Sequence, residues 1–366
     1  MRKRTEWTED KIKLIKVYIE EGLTIMAIAE KMKLSYKQVE HAIHKNGLRS
    51  KSVYTQPKEE KEMKPKELDK LIISSLKSEL QVTTPYKASP ETRIDKKGDT
   101  LVIQLTDLHA GKMVKDQEGT IIYDEKVFRV RIDRLCEQIL KLLDHNITKG
   151  VPIHDVVILS TGDLANGEGI YATQAYEQEL APPRQVMLVV DVIKKLIVSL
   201  LERKLSVRFC GVRGNHGRTG KDTDIASNWD LMIYLILDFW AREVLKSPLL
   251  QVRYAETEQM TFDIRGHQYL IRHIAPEQAD SPAGRVKINE WARRHNAEAV
   301  VFGHYHHFGL SDVDGIRVFR GGSTVGGDSL SESMAKHSEP IQLIWGCNEH
   351  RVSTFFYAVD LGDNTN

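Results

Sequence analysis

The chain predicts an α/β domain of two packed sheets flanked by helices, preceded by a small all-α head of three helices, and three observations carry that reading. Four apolar runs, Leu101–Leu105, Val156–Leu159, Val207–Val212 and Ala299–Phe302, each stop at a Gly or a polar turn residue, as buried strands do. A fifth, Tyr269–Ile271, fits between the last two. Helix-period stretches near Asp124–Asn146, Ala181–Lys204, Ile225–Leu245 and Ala283–His295 alternate with these runs. After Gly303 the pattern turns strand-rich, with Gly321-Gly322 and Gly326-Gly327 turns and a late strand at Arg351–Val359. Near the N-terminus, three short amphipathic segments are separated by turn signals.

The 366 residues, 41% of them hydrophobic, suffice for two domains or for one large domain with an appendage. The opening Met1-Arg-Lys-Arg-Thr-Glu-Trp7 has no apolar core of a signal peptide. The most apolar stretch, Val186–Leu201, is broken by Asp191, Lys194 and Lys195, too polar to span a bilayer, so a cytoplasmic protein with no membrane partner is expected. Cys136, Cys210 and Cys347 lack C-x-x-C spacing and are odd in number, so they read as reduced side chains. Residues 1–52 hold 12 Lys/Arg against 7 Asp/Glu, and the remainder 40 against 44, so the positive surplus is N-terminal.

In that N-terminal part, Trp7-Thr8-Glu9-Asp10 offers Thr8 as N-cap with acids in the first turn, followed by Ile12, Ile15, Val17 and Ile19 up to Gly22, which stops the helix. Ile25, Ile28, Ala29 and Met32 make a second helix. Leu34-Ser35-Tyr36 turns the chain with Ser35 as a cap, and Val39, Ala42 and Ile43 lead a third helix to Asn46-Gly47. Three short helices with a tight turn before the last match a helix-turn-helix over residues 1–52. Trp7-Thr8-Glu9, Ile28-Ala29-Glu30 and Asn46-Gly47-Leu48-Arg49 make the segment resemble the tri-helical DNA-binding heads of Myb-like and cell-cycle-regulator proteins. In such a module the third helix enters the major groove, so Lys37, Gln38, His41, Lys45 and Arg49 are the expected DNA contacts, with Ser35 and Tyr36 beside them. The alternative is a small helical protein-interaction domain whose basic residues solvate its faces.

Residues 53–97 mix charge and Pro, with one short helix candidate near Leu68–Leu80, and read as a linker that carries no chemistry. Residues 98–366 form the larger domain.

Each strand of that domain hands over a hard-cation ligand: Thr106-Asp107-Leu108-His109, Thr161-Gly162-Asp163, Gly214-Asn215-His216, His273 and Gly303-His304-Tyr305-His306. Strand side chains alternate with period two, which is expected to put Asp107 and His109 on one face at the sheet edge. Groups at the carboxyl ends of strands in an open α/β sheet converge on one site.

These motifs, in this order, look like those of the calcineurin-like metallophosphoesterase superfamily, D-x-H, G-D, G-N-H and G-H-x-H with an extra His before the last; the resemblance spans roughly residues 98 to 360. It implies a four-layer αββα sandwich and a two-metal site. By that resemblance Asp163 is shared between two divalent ions, Asp107, His109 and His306 complete the first, and Asn215, His273 and His304 complete the second. The mixed oxygen and nitrogen set suits Mn first, with Fe, Zn, Ni or Mg as alternatives. His216 has no ion to hold and is the expected catalytic general acid, or else a partner of the scissile phosphate.

Two departures stand out. Gly217 occupies the position where many members carry an acid that orients the His, and His273 lacks a flanking Gly. His267, in Arg265-Gly266-His267, reads as a hairpin tip at the wrong end of its strand. The run Gly162-Asp163-Leu164-Ala165-Asn166-Gly167-Glu168 lacks the Arg with which protein Ser/Thr phosphatases grip a phosphomonoester, and looks closer to the DNA-repair nucleases of the superfamily. Arg213 and Arg218, with Lys221, are the expected contacts to the substrate phosphate.

The resulting expectation is a metal-dependent phosphodiesterase, a DNA nuclease, with DNA as partner. Open beside it are a phosphomonoesterase or cyclic-nucleotide phosphodiesterase, and a DNA-binding regulator on a phosphoesterase scaffold. Nothing in the chain sets the oligomeric state, a homodimer included.

Overall fold

The computed structural model describes residues 7–21, 23, 25–48, 98–145, 150–171, 174–327 and 338–362. The expected linker at 53–97 with its short helix, Arg49, Gly22 and Asn146 lie outside the described residues. The chain divides into two compact units, one containing the N-terminal helices and the other containing both large sheets.

The N-terminal unit has helices α1 (Glu9–Glu20), α2 (Ile25–Lys31) and α3 (Tyr36–Lys45). Each buries one stripe at helical spacing: Ile15 and Ile19, then Ile25, Ile28 and Ala29, then Val39, Ala42 and Ile43, all in one core. Thr8 takes the extended N-cap conformation of α1, but its side chain makes no cap hydrogen bond. Between α2 and α3, Lys33 adopts a left-handed φ of 53° and the Leu34 N–H bonds back to the Ala29 carbonyl at 2.9 Å. The Ser35 N–H donates to Gln38 Oε1 at 2.8 Å, so Gln38 closes the start of α3. Lys37, His41 and Lys45, at i, i+4 and i+8, are exposed on that helix.

The C-terminal unit runs β1 (Asp99–Leu105), β2 (Val114–Lys115), β3 (Ile121–Tyr123), α4 (Glu125–Asp144), β4 (Ile153–Ser160), α5 (Pro182–Glu202), β5 (Ser206–Gly211) and α6 (Trp229–Phe239). It continues with β6 (Leu250–Tyr254), β7 (Gln259–Ile264), β8 (His267–Arg272), α7 (Pro282–His295), β9 (Ala299–Phe302), β10 (Gly309–Val313), β11 (Ile316–Arg320), β12 (Ile341–Cys347) and β13 (Phe356–Asp360). Local chemistry sets the helix starts. Asp124 caps α4 by accepting from the Val127 N–H at 2.8 Å, and prolines occupy the first positions of α5, where no N–H is needed. The helix expected from Ile225 begins only at Trp229, because Asn228 caps it, and it ends in a π turn over Trp240–Leu245. The late strand is also shorter than expected, since the chain crosses from Arg351 to Phe355 as a loop before β13.

The six-stranded sheet has the order β13-β12-β1-β4-β5-β6, and the five-stranded sheet β10-β11-β9-β8-β7. Their facing sides share one core, in which Val102, Val157 and Leu159 of the first sheet meet Tyr269, Ile271 and Val301 of the second. Phe319 stacks on Trp345 with ring centroids 4.1 Å apart. α7 covers the outside of the smaller sheet, burying Ile288 against Leu270 and Val300. On the far side of the larger sheet, Ile132 and Leu135 of α4 and Ile193 and Leu196 of α5 enclose a small apolar space with Leu105. The order is helices, sheet, sheet, helix, the four-layer mixed α/β sandwich.

β1, β4 and β5 are parallel neighbours in register, with Leu105 opposite Ser160 and Ser160 opposite Gly211. Their carboxyl ends are therefore level. In the smaller sheet β8 and β9 are likewise parallel, Ile271 opposite Val301. All five strand ends open on the same edge of the sandwich. Among the described residues no helix is long and apolar enough to cross a membrane, and the three cysteines are free.

Candidate metal centre

Residues past the ends of β1, β4, β5, β8 and β9 come together here. Asp107, His109 and His306 place one ligand atom each within 4.8 Å of one another, as do Asp163, His273 and His304, and also His109, Asp163 and His216. Asp163 is common to two of these groups. Asn215 joins through its Oδ1, 2.7 Å from His273 Nε2.

The side chains do not converge for the reason the strand pattern gives. β1 ends at Leu105, so Asp107 and His109 lie beyond it, and both have left-handed backbones, with φ of 49° and 43°. Asp163, His304 and His306 do too, at 53°, 78° and 63°. Non-glycine residues in that region cost on the order of 1–3 kcal/mol each and collect at functional sites. Strand alternation was the wrong account; tight turns aim these groups. Glycines let the turns close on each other. A Cβ on Gly214 would stand 2.1 Å from Asp163 Oδ1, and one on Gly303 would stand 2.0 Å from Thr106 Oγ1.

Each carboxylate is satisfied on one oxygen only. Asp107 Oδ2 accepts from Thr106 Oγ1 at 2.6 Å and from the His304 N–H at 2.8 Å. Asp163 Oδ1 accepts from the His216 N–H at 2.7 Å. Asp107 Oδ1 and Asp163 Oδ2 are buried without a hydrogen-bond donor. Asp107 Oδ1 faces the Nε2 atoms of His109 and His306 at 3.8 and 3.6 Å, and Asp163 Oδ2 lies 3.0 Å from His273 Nε2. His273 Nδ1 is 2.7 Å from the Thr161 carbonyl, which can only accept, so that nitrogen carries a hydrogen. In its neutral form the ring turns its Nε2 lone pair toward two oxygens, Asp163 Oδ2 and Asn215 Oδ1. Two fully buried carboxylate oxygens, each facing imidazole nitrogens, fit a pair of divalent cations and leave a large penalty without positive charge.

The electrostatics follow. Burial raises Asp107 to about 7, opposed by His273 and reinforced by Asp163. Burial also works to raise Asp163, but the surrounding His273, His216 and His109 rings hold it well below the usual carboxylate range. Burial disfavours a charged His273, yet the Asp163 and Asp107 carboxylates lift it to about 9, so at neutral pH a proton stands where those lone pairs meet. His109 and His304 move the other way. Burial, with neighbouring rings, lowers His109 well below its ordinary value and His304 to about 4. Neutral imidazoles are the form that binds a metal.

Burial also lowers His216, with Asp163 opposing and Lys112 adding to the shift. No acid at position 217 orients this ring, and none could enter there without displacement, because a Cβ on Gly217 would lie 2.6 Å from Asn228 Oδ1. The support comes from Tyr171 and Gln174. Gln174, buried, donates from Nε2 to the Asn166 carbonyl and to the His216 carbonyl, the latter at 3.3 Å. The same Nε2 lies 3.4 Å from His216 Nδ1. Tyr171 leans on the ring at 4.8 Å between centroids and accepts from Asn215 Nδ2 at 2.7 Å, which turns Asn215 Oδ1 toward His273.

Sequence reasoning missed Tyr171, Gln174 and the buried Lys112. They belong to no motif; only Gly111-Lys112, following Asp107-x-His109, stands near one. Of the two arginines expected at the substrate, Arg213 turns its guanidinium away, to the Glu256 carbonyl at 3.1 Å and to Glu258 at 3.4 Å, and is buried. Arg218 stays beside the motif, bonded through Nε to the Asn215 carbonyl at 3.4 Å. His267 lies at the start of β8, away from the site, between Glu298 and the Asn348 carbonyl.

The family model for the calcineurin-like phosphoesterases matches residues 100–308, more than half of the chain. No curated protein matches it. Among solved structures, zinc-bound wild-type Vps29 from Entamoeba histolytica is similar at 14% identity over 72% of this chain and 99% of that one, with a TM-score of 0.32. Vacuolar Protein Sorting 29 from Cryptosporidium parvum is similar at 16% identity over 73% and 94%, TM-score 0.34. A novel archaeal phosphodiesterase is similar at 12% identity over 71% and 99%, TM-score 0.35.

Proposed function

Because the chain belongs to the calcineurin-like phosphoesterase family, we propose that it is a metal-dependent phosphodiesterase, a DNA nuclease whose N-terminal helices bind DNA. The observation that carries the catalytic part is the pair of buried oxygens, Asp107 Oδ1 and Asp163 Oδ2, set among imidazoles. In this reading Asp107, His109 and His306 hold one divalent ion, Asn215, His273 and His304 hold the other, and Asp163 serves both. Mn is the first choice, with Fe, Zn, Ni or Mg as alternatives, because the donors mix carboxylate, amide and imidazole. Such ions polarise a phosphoryl oxygen and lower the pKa of a bound water.

The protein's own groups do the rest. The left-handed turns hold the ligands rigidly, so little reorganisation accompanies the reaction. His216 lies against Asp163 and His109 with its backbone N–H tied to Asp163, at the centre where the ester would be cleaved. There the protonated ring, a minor form at neutral pH because burial lowers its pKa, donates the proton that the departing alkoxide needs, and Tyr171 and Gln174 fix its tilt. Arg218 flanks the entry and meets the phosphate backbone, while the engagement of Arg213 with Glu258 favours a structural part for it.

A diester is preferred over a monoester because the loop after Asp163, Leu164-Ala165-Asn166-Gly167, offers no arginine to clamp a second ionised oxygen. DNA is preferred because α3 exposes Lys37, His41 and Lys45 on one stripe after a four-residue turn. Gln38 contributes less to base contact than its position suggests, since its Oε1 is taken up by Ser35. The test is incubation with Mn and labelled linear, circular, single- and double-stranded DNA, beside bis-p-nitrophenyl phosphate and p-nitrophenyl phosphate. Cleavage of DNA and of the bis ester is expected. Turnover of the monoester alone would replace the nuclease reading with a phosphomonoesterase.

A further inference from the structure

Asp230, in the first turn of α6, is fully buried and belongs to none of the ligand groups. Its carboxylate nevertheless takes four backbone N–H groups from two different loops of the site. Oδ2 accepts from Asp163 at 2.9 Å and from Gly214 at 2.8 Å, and Oδ1 accepts from Leu164 at 3.0 Å and from Ala165 at 3.3 Å. The loops after β4 and β5 thus share one acceptor. Its neighbours complete the grip. Asn228 caps α6 by accepting from the Asp230 N–H at 2.8 Å and donates Nδ2 to the Gly214 carbonyl at 3.0 Å, and the Trp229 N–H bonds the Gly217 carbonyl at 2.7 Å. Both polar groups of Gly214 are therefore read from the start of one helix.

The geometry requires a carboxylate of this length. Four converging donors need two acceptor-only oxygens; an amide would turn an NH2 against two of the N–H groups. Bonds to an ionised acceptor are roughly twice as strong as neutral ones, so the four together outweigh any single contact holding these loops. Asp163 and Gly214 already touch to the exclusion of a Cβ. What remains adjustable is where Asn215 stands relative to Asp163, and the Asp230 carboxylate fixes it.

We propose that Asp230 is a positioning residue for the metal centre, setting the spacing between Asp163 and Asn215 and hence the metal affinity without touching a ligand atom. The inference rests on the metal-site reading given above.

Isothermal titration of Mn into metal-stripped full-length protein tests it, with Asp155→Asn as comparison. Asp155 is another buried acid, at the opposite end of β4, paired with Arg208 at 3.3 Å and Arg265 at 3.2 Å. Wild type is read first: two bound Mn ions without cleavage of any phosphodiester leaves the positioning role standing and sinks only the nuclease, whereas no Mn binding removes both. Asp230→Asn is expected to weaken Mn roughly 10- to 100-fold, the usual range for residues that orient metal ligands, with turnover partly restored by excess Mn. Asp155→Asn is expected to melt earlier and bind Mn as wild type does. Asp230→Glu keeps the charge and moves it by one methylene, so it is expected to bind Mn weakly as well. Mn affinity within threefold of wild type in folded Asp230→Asn, or an equal loss in Asp155→Asn, overturns the proposal. If neither Asp230 variant folds, Asn228→Ala decides, with an expected loss of about tenfold and unchanged affinity counting against the role.

Discussion

His109 and His306, 197 residues apart in the chain, bring their Nε2 atoms to 3.0 Å of each other. Both backbones are left-handed, and Asp107 Oδ1 faces the pair. Between two ring nitrogens at that distance there is room for one proton. The fold thus concentrates electron pairs that only positive charge can reconcile.

Asp163→Asn is expected to abolish two-ion occupancy and to lower turnover by orders of magnitude, because a neutral amide cannot offset two dications. Elemental analysis and rates on a small diester check it. Two ions per chain with activity within about tenfold of wild type, about 1.4 kcal/mol of barrier, would show that Asp163 is not shared.

His216→Ala is expected to keep both ions and bind DNA nearly normally while kcat falls about 10² to 10⁴-fold, the usual contribution of general acid catalysis. If the variant loses metal instead, His216 is a ligand and the acid lies elsewhere.

Gly303→Ala forces a Cβ to within 2.4 Å of Asp107 Oδ2, a carboxylate already held by two hydrogen bonds. Such overpacking typically costs about 1–3 kcal/mol, and here metal binding should fail with it. Gly315→Ala, at a turn with open space around it, isolates the strain of a left-handed backbone, φ 85°, and should leave metal affinity unchanged. Denaturant midpoints and metal titrations of the two variants separate the effects.

The metal-stripped protein should lose stability as the pH rises above neutrality. His273 has a folded pKa of about 9, above its unfolded value, so its stabilisation is complete below pH ~6.5 and is lost as the pH rises through 9. His304, lowered to about 4, contributes in the opposite sense: its stabilisation is present above pH ~6.5 and is lost as the pH falls toward 4. Asp107, raised to about 7, contributes in the opposite sense to His304 on the acid side, so the decline in melting temperature of chelator-treated protein is expected on the alkaline side of neutrality. Reloading with Mn should flatten the alkaline limb, since the ion takes the place of the His273 proton, and an unchanged alkaline limb would mean His273 does not bind it.

The fold and the ligand cluster were legible because their signals are local. A buried strand writes itself as an apolar run, and a glycine marks the turn that delivers Asp163, Asn215 or His304. What was not legible depends on where the chain returns. The left-handed turns at Asp107 and His109 leave no mark, because neither residue type requires that conformation. Gln174 is one more polar loop residue until the fold lays it against His216. Arg213 sits immediately before a motif, yet a partner 45 residues later claims its guanidinium. The helix start near Ile225 was misplaced because apolar periodicity precedes the real cap, Asn228.

A protein beginning at Lys97 should hydrolyse a small diester at the full-length rate and bind DNA more weakly. Its affinity should also depend less on salt, each lost phosphate contact contributing about 0.9 to the slope of log K against log salt. Lys37→Ala with Lys45→Ala should reproduce part of that change. Equal DNA affinity and equal salt slopes for the long and short chains would assign the three-helix head to a protein partner instead.

The donor groups come from both sheets: Asp107, Asp163 and Asn215 follow strands of the larger one, and His273, His304 and His306 follow strands of the smaller. Bound ions would therefore rivet the two halves of the sandwich at one edge, adding to the hydrogen bonds that already cross it, from the His304 N–H to Asp107 Oδ2 and from Gln104 Nε2 to the Phe302 carbonyl. Sliding one sheet over the other by a fraction of an ångström would unmatch the ligands before it opened the core. Loading with metal should thus turn the sandwich from two stacked sheets into one mechanical body, and chelation should let them shear.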